Sequence, residues 1–176
     1  SNINHEMFKW LKVGANISGN YLHNNRIPGA DLGSTIIGRA VQQRPFDRPY
    51  KPNGGYYTGG TDELLLHNAV QILSEETSYT DNYRFIGSFW AEAQIIKGLT
   101  VRASYNNDSA YTYDYIYYNQ NHPYAADKGR ILDRNRFVMT NTIDLYANYN
   151  RKIGEDFELG AMVGHSFLKT RSRTSY

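Results

Sequence analysis

The clearest pattern in the chain is an alternation of apolar and polar residues between Tyr83 and Asn107. From 85 to 95 and from 99 to 105, apolar or small residues occupy the odd-numbered positions, and charged, amide and hydroxyl residues occupy most of the even-numbered ones. A period of two predicts a β-strand with two different faces. The interruption at Ile96-Lys97-Gly98 predicts a three-residue hairpin loop whose last residue is left-handed, a conformation that glycine adopts without steric cost.

The loop length predicts which residues of the two strands lie opposite each other. With Ile95 opposite Leu99, the polar face has Glu92 opposite Arg102. Such an opposite-charge pair stabilises a sheet by roughly 0.2–1 kcal/mol. The hairpin therefore has an apolar face and a polar face over about ten residues per strand, which is typical of strands that cross a membrane in a β-barrel.

The same alternation recurs in three further parts of the chain. It predicts strands at 10–21, at 137–149 and from 157 onward. With Tyr149 opposite Phe157, Tyr146 lies opposite Gly160 on the polar face, where an aromatic ring covers the gap left by a glycine.

The connections between the predicted strands differ in length. Residues 96–98 and 150–156 form short turns, whereas residues 23–82 and 108–136 form long loops. Short turns at one end and long loops at the other are typical of outer-membrane barrels. We therefore predict an all-β fold, an antiparallel transmembrane β-barrel segment of about five strands with long extracellular loops.

The first long loop contains signals for two short helices. Residues 34–43 predict a helix capped by Ser34, and residues 63–73 predict a second helix capped by Asp62. Between them, three prolines and the dipeptide Asn53-Gly54 predict extended backbone and a turn.

Composition agrees with a membrane-barrel interpretation. The chain contains 16 tyrosines against 7 phenylalanines and 2 tryptophans, and tyrosine suits membrane interfaces and glycan contacts. No apolar run approaches the ~20 residues of a spanning helix, so insertion into a membrane would require a barrel. A net charge of +2 gives no indication of a nucleic-acid partner.

Six stretches resemble a known family when they are taken in order along the chain. They are 10–18 (WLKVGANIS), 39–54, 67–73 (HNAVQIL), 82–87 (NYRFIG), 97–102 (KGLTVR) and 141–146 (NTIDLY). Together they are similar to the barrel of SusC/RagA-type TonB-dependent outer-membrane transporters. The resemblance implies a barrel of about 22 strands around an internal plug, in the outer membrane of a Gram-negative bacterium.

The resemblance also implies a function and partners. It implies active import of a large nutrient (a glycan, oligosaccharide or peptide), energised through TonB and assisted by a SusD-like surface lipoprotein. We expect residues 1–176 to be one part of such a barrel domain, in contact with outer-membrane lipid, with the plug and the TonB-contacting segment outside this chain. Two alternatives are a soluble β-sandwich module that binds a ligand, and a barrel that serves secretion or surface assembly.

Candidate catalytic chemistry is sparse in the sequence. The five histidines stand far apart, without the spacing of a zinc site. The chain contains no cysteine, no Gly-x-Ser-x-Gly motif and no phosphate-binding loop. We therefore expect no enzyme activity, no catalytic residue, no metal and no cofactor.

Two groups of residues are candidates for binding. In the barrel interpretation, one group faces the lumen and contacts plug or substrate, although Glu92 and Arg102 could instead simply pair with each other. The other group lies in the tyrosine-rich second loop, where the rings could stack on sugars, pack against a lid protein or pack on themselves. The lumen group is Arg84, Trp90, Glu92, Arg102 and Asn106, and the loop group is Tyr113, Tyr115, Tyr117 and Tyr118.

Overall fold

The fold is one antiparallel sheet of six strands, each paired with the next along the chain. The computed structural model describes residues 2–26, 36–42, 48–57, 68–123, 125, 128–153 and 157–176. The all-β antiparallel prediction is confirmed, and β1 is a strand that the alternation did not predict. The strands are β1 (Asn2–Phe8), β2 (Leu11–Asn25), β3 (Glu76–Ile96), β4 (Leu99–Tyr118), β5 (Arg130–Ile153) and β6 (Phe157–Ser175).

Two short helices, α1 (Ile36–Gln42) and α2 (Ala69–Glu75), lie in the connection between β2 and β3. Neither is long or apolar enough to cross a membrane. The predicted caps, Ser34 and Asp62, lie outside the described residues, as does the predicted start of the second helix. Asn68 caps α2 instead, because its side chain accepts hydrogen bonds from the backbone N–H groups of Val70 and Gln71.

The predicted register of the β3–β4 hairpin is confirmed. Arg102 Nη1 lies 3.6 Å from Glu92 Oε2, as expected for residues directly opposite each other. Gly98 has the predicted left-handed conformation, with φ of 90°. Strand β3 extends to Ile96, one residue farther than predicted, and Lys97 and Gly98 form the turn.

The strands continue well into the stretches that were predicted to be loops. The second loop was predicted from Asp108 to Arg136, but β4 continues to Tyr118 and β5 already begins at Arg130. The strands extend because polar side chains pair across them. For example, Thr80 Oγ1 donates to Asp114 Oδ1 at 2.6 Å. Tyrosine and threonine favour strands without an apolar alternation.

The predicted pairing of β5 with β6 is wrong by four residues. Strand β5 continues to Ile153, and Tyr146 lies beside Gly164 instead of Gly160. A Cβ at Gly164 would lie 3.2 Å from the Tyr146 Cβ. Tyr146 is therefore adjacent to a different glycine of β6 from the one predicted. Strand β5 therefore extends into the stretch 150–156 that was predicted to be a turn, and residues 154–156 lie outside the described residues.

The chain divides into two compact units. Unit 1 comprises residues 1–21, 82–112 and 136–174, and unit 2 comprises residues 22–81, 113–135 and 175–176. Among the described residues, the buried apolar side chains all belong to unit 2; they are Ile36, Ala69, Ile72 and Ala125. In unit 1 the odd-numbered face of the sheet, here called the apolar face, keeps large side chains exposed instead.

Candidate functional site

The five predicted lumen residues share one face of the β3–β4 hairpin, here called the polar face. All occupy even-numbered positions, and side chains alternate between faces along a strand. Arg102 joins two of them, because its guanidinium carbon lies 4.3 Å from the centre of the Trp90 ring and its Nη1 contacts Glu92. A cation over an indole is attracted by the negative ring face. Glu92 and Arg102 are each only one-third exposed, so water screens this pair incompletely.

Trp90 also packs against the neighbouring strand β2. A Cβ at Gly14 would overlap the indole of Trp90, so this glycine makes the room that the ring occupies. The alternation placed Gly14 on the polar face and Gly19 on the apolar face, but it could not show that a Cβ at Gly14 meets a ring whereas a Cβ at Gly19 has no neighbour within 4 Å. Only the pairing of β2 with β3 identifies it.

Asn106 belongs to a hydrogen-bonded network centred on Asp144 of β5. The Asp144 carboxylate accepts from Ser104 Oγ and from Asn106 Nδ2, both at 3.3 Å, and from Ser166 Oγ at 2.6 Å. Asn106 Oδ1 in turn accepts from Ser88 Oγ at 2.6 Å. The network crosses β3, β4, β5 and β6. Sequence reasoning placed Asp144 on the polar face but did not single it out, because its partners come from strands far apart in sequence.

Arg84 is not joined to the Trp90 contacts. Its Nε and Nη2 donate to the two oxygens of Asp108 at 2.9 and 2.6 Å, which is a bidentate ion pair. Both side chains are about half exposed. The predicted lumen group therefore divides into three local arrangements: the Trp90–Arg102–Glu92 contacts, the Asp144 network and the Arg84–Asp108 pair.

The four predicted loop tyrosines lie on strand β4, so their assignment to a loop is wrong. Tyr113 and Tyr115 pack around Tyr79 of β3, with ring centres 6.1 and 5.1 Å from it. Tyr118 has the opposite parity and stacks on His122, with ring centres 4.4 Å apart. Tyr117 is exposed. The four rings therefore do not form one cluster. Tyr79 joins the group of Tyr113 and Tyr115, and the sequence analysis did not identify it.

His122, on which Tyr118 stacks, also makes a buried contact with Glu76. His122 Nε2 is 3.5 Å from Glu76 Oε2, and their side chains are 0% and 4% exposed. Burial raises the pKa of the Glu76 carboxyl to about 7. The pair connects the first residue of β3 to the β4–β5 connection, so the charge state of this junction changes near neutral pH.

Unit 2 also contains a polar cavity of about 680 Å³, here called the loop pocket. It lies between α2, the 50–56 turn and residues 120–123. Such a volume falls within the ~300–1,000 Å³ range of small-molecule sites. Sequence reasoning did not predict this pocket, because it forms where three segments separated by many residues meet.

The comparisons with known proteins identify the fold. None of the protein-family models matches the sequence, and no curated protein matches it either. Among solved structures, the chain is similar to the RagAB peptide transporter, with a TM-score of 0.73, 21% identity and 99% of this chain covered. It is also similar to the RagAB peptide importer in its closed-closed and open-open states, each with a TM-score of 0.71 and 21% identity.

The matched part of those transporters is small. The chain covers 21% of the first two structures and 20% of the third. The likeness therefore extends over nearly all of this chain and over about a fifth of each transporter. At this level of identity, the similarity concerns the fold of the sheet.

Proposed function

We propose that this chain is part of the wall of an outer-membrane β-barrel that imports a large nutrient such as a glycan, oligosaccharide or peptide. In this proposal, the apolar face of unit 1 contacts lipid and the polar face lines the lumen. The chain carries out no covalent chemistry and works by positioning side chains along a passage.

The observation that carries the proposal is the exposed apolar face. Phe85 and Phe89 are each 44% exposed, and Leu145 is 50% exposed, although all three lie on interior strands of the sheet. A soluble β-sandwich would bury such side chains against a second sheet. Hydrocarbon is the environment in which a strand can expose alternate large apolar side chains without loss of stability.

The polar face supports the same assignment. The Asp144 network and the Glu92–Arg102 and Arg84–Asp108 pairs lie at positions that alternate with the apolar ones. Charges that face a water-filled or plug-filled lumen avoid the cost of burial in hydrocarbon. We infer that Arg84, Trp90, Glu92, Arg102 and Asn106 contact either the plug or the passing substrate.

The likeness to the RagAB structures, whose names describe a peptide transporter and importer, supports a role in transport. We propose two partners for the transporter. TonB supplies the energy, and a SusD-like surface lipoprotein closes over the barrel. Tyr113, Tyr115, Tyr117 and Tyr118 are the tyrosines proposed to meet the ligand or this lipoprotein.

Site-directed spin labelling tests the orientation of the sheet. The chain has no cysteine, so single cysteines at Val101, Leu145 and Ser104 report local surroundings without competition from this region. In lipid vesicles that contain the full-length protein, labels at Val101 and Leu145 should be accessible to oxygen, and the label at Ser104 to a water-soluble nickel complex. Equal access of both quenchers to all three labels would contradict the barrel assignment.

Uptake tests the transport role. Deletion of the gene should abolish growth on one class of large nutrient, and growth should return with the intact gene. Unchanged growth on glycans and on peptides would contradict import and would favour the secretion alternative.

A further inference from the structure

We infer that the loop pocket is a binding subsite for a neutral sugar ring of a glycan. The inference rests on the proposed function and specifies the substrate class for one location in the chain. It follows from three features of the pocket, namely an aromatic wall, an amide wall and a low charge.

The aromatic wall is formed by Tyr50 and Tyr56. Their ring centres lie 5.7 Å apart with a tilt of 32°, and Tyr50 is 51% exposed. The backbone between them forms a tight turn, in which Lys51 N donates to Gly55 O at 2.7 Å. Gly54 takes the left-handed conformation, with φ of 82°. An exposed ring on a fixed turn offers a flat apolar surface, which suits the C–H face of a pyranose.

The amide wall is formed by Gln71, Gln120 and Asn121. Each side-chain amide has both donors and an acceptor, which is the combination that neighbouring sugar hydroxyls require. Gln71 is held in place because its Nε2 donates to Asn121 O at 2.7 Å. Its Oε1 is buried and has no hydrogen-bond partner within the described part of the chain.

The two walls are held at a fixed separation by Asn68, which is 1% exposed. Its Nδ2 donates to Pro49 O at 2.6 Å and to Tyr57 O at 3.1 Å, on either side of the tyrosine turn. Its Oδ1 accepts from the first turn of α2, which carries Gln71. A site whose walls are positioned before binding loses less conformational entropy when the ligand arrives.

The charge of the lining favours a neutral ligand. Apart from His122, the only ionisable cation in the lining is Lys51, and no carboxylate lines the pocket among the described residues. A single exposed lysine gives weak attraction for an anion and none for a cation. Hydroxyl groups, with an apolar ring face, match both walls better than charged groups do.

Binding by the purified full-length protein tests the inference. We would measure binding to an array of neutral glycans and to a set of neutral decapeptides, and then measure dissociation constants by calorimetry for the tightest ligand of each class. The variants are Tyr50→Ala for the aromatic wall and Asn121→Ala for the amide wall. The control is Tyr57→Ala, because Tyr57 follows the same turn but does not line the pocket.

The inference predicts that at least one neutral glycan binds and that Tyr50→Ala and Asn121→Ala each weaken it about tenfold or more. Tyr57→Ala should leave its affinity within about twofold of the parent protein. Absence of glycan binding, or glycan binding unaffected by both pocket variants, would overturn the inference. Loss of peptide binding in the pocket variants, without any glycan binding, would overturn the sugar assignment and leave the importer proposal in place. The importer proposal is tested separately: it would fail if deletion of the gene left growth on glycans and on peptides unchanged.

Discussion

Trp90 of β3 lies over Gly14 of β2, in room that exists only because residue 14 has no side chain. The same indole holds the Arg102 guanidinium on the polar face. A glycine in one strand therefore determines where a charged residue two strands away can lie.

Gly14→Ala should destabilise the protein by about 1–3 kcal/mol, because the new methyl group displaces the Trp90 ring. The measurement is the urea midpoint of the full-length protein in lipid vesicles. Gly19→Ala on the same strand is the matched control and should have little effect, since nothing lies within 4 Å of its Cβ position. If Gly14→Ala lowers the stability by the same amount in a Trp90→Ala background as in the parent protein, the clash with the indole is not the cause of the loss.

Gly98→Ala should destabilise the protein more than Gly54→Ala. Both glycines have positive φ, 90° and 82°, so both substitutions introduce about 1 kcal/mol of backbone strain. At Gly98 the added Cβ would also collide with the Asn150 carbonyl, whereas at Gly54 it meets nothing. Unfolding midpoints of the two variants make the comparison, and equal losses would exclude the steric contribution.

Leu145→Arg should cost about 2–4 kcal/mol, because it places a charge on the face proposed to contact hydrocarbon. Ser104→Arg, on the polar face of the adjacent strand, should cost much less. Vesicle unfolding of both variants measures the difference. A larger loss for Ser104→Arg would reverse the assignment of the two faces.

Charge reversal tests the register of the β3–β4 hairpin. Glu92→Arg and Arg102→Glu should each destabilise the protein, and the double variant should recover part of the loss, with a coupling of roughly 0.2–1 kcal/mol. The coupling is small because the closest N–O distance of the pair, 3.6 Å, is longer than a hydrogen bond. Coupling that is absent at low salt would contradict the direct contact.

Stability should fall as pH rises toward neutrality, owing to Glu76. Its pKa is raised from 4.5 to about 7 in the folded protein, so the folded state binds a proton more tightly than the unfolded state does. The free energy of unfolding therefore begins to fall above the unfolded pKa of 4.5, and the fall is complete just above pH 7. The total loss is up to about 3 kcal/mol.

Glu76→Gln should remove this part of the pH dependence, whereas Glu75→Gln, the adjacent control, should retain it. Thermal midpoints between pH 4 and pH 8 provide the measurement, in steps fine enough to resolve one pKa unit. Because His122 contacts Glu76, the difference between the two variants is the quantity to compare. Identical profiles for both variants would show that Glu76 is not responsible.

The sheet was predictable where one of its faces is apolar. From Phe85 to Ile95 and from Leu99 to Tyr105 the period of two is strict, and it places Glu92 and Arg102 on the same face, where they are in contact. Beyond Asp108 the pattern fades, because strands there are held together by polar pairs such as Thr80 with Asp114. Polar pairing has no signature in a single strand, so these extensions were assigned to loops.

The candidate site was predictable only in part, for the same reason. Parity along a strand places Trp90, Glu92 and Arg102 on one face. Parity cannot show that Gly14 lies under Trp90 or that Asp144 collects donors from two neighbouring strands, because both facts depend on inter-strand register. The error of four residues between β5 and β6 arose in the same way, because β5 continues farther than its apolar alternation indicates.

Asn68 couples the first turn of α2 to the turn at residues 50–56, because its side chain bonds to both segments. One amide both accepts from α2 and donates to the carbonyls of Pro49 and Tyr57. Aspartate would cap the helix but could not donate to the two carbonyls, and serine is too short to reach all of these partners. The chemistry of one side chain thus ties two neighbouring segments into one cooperative piece, which either forms whole or does not form.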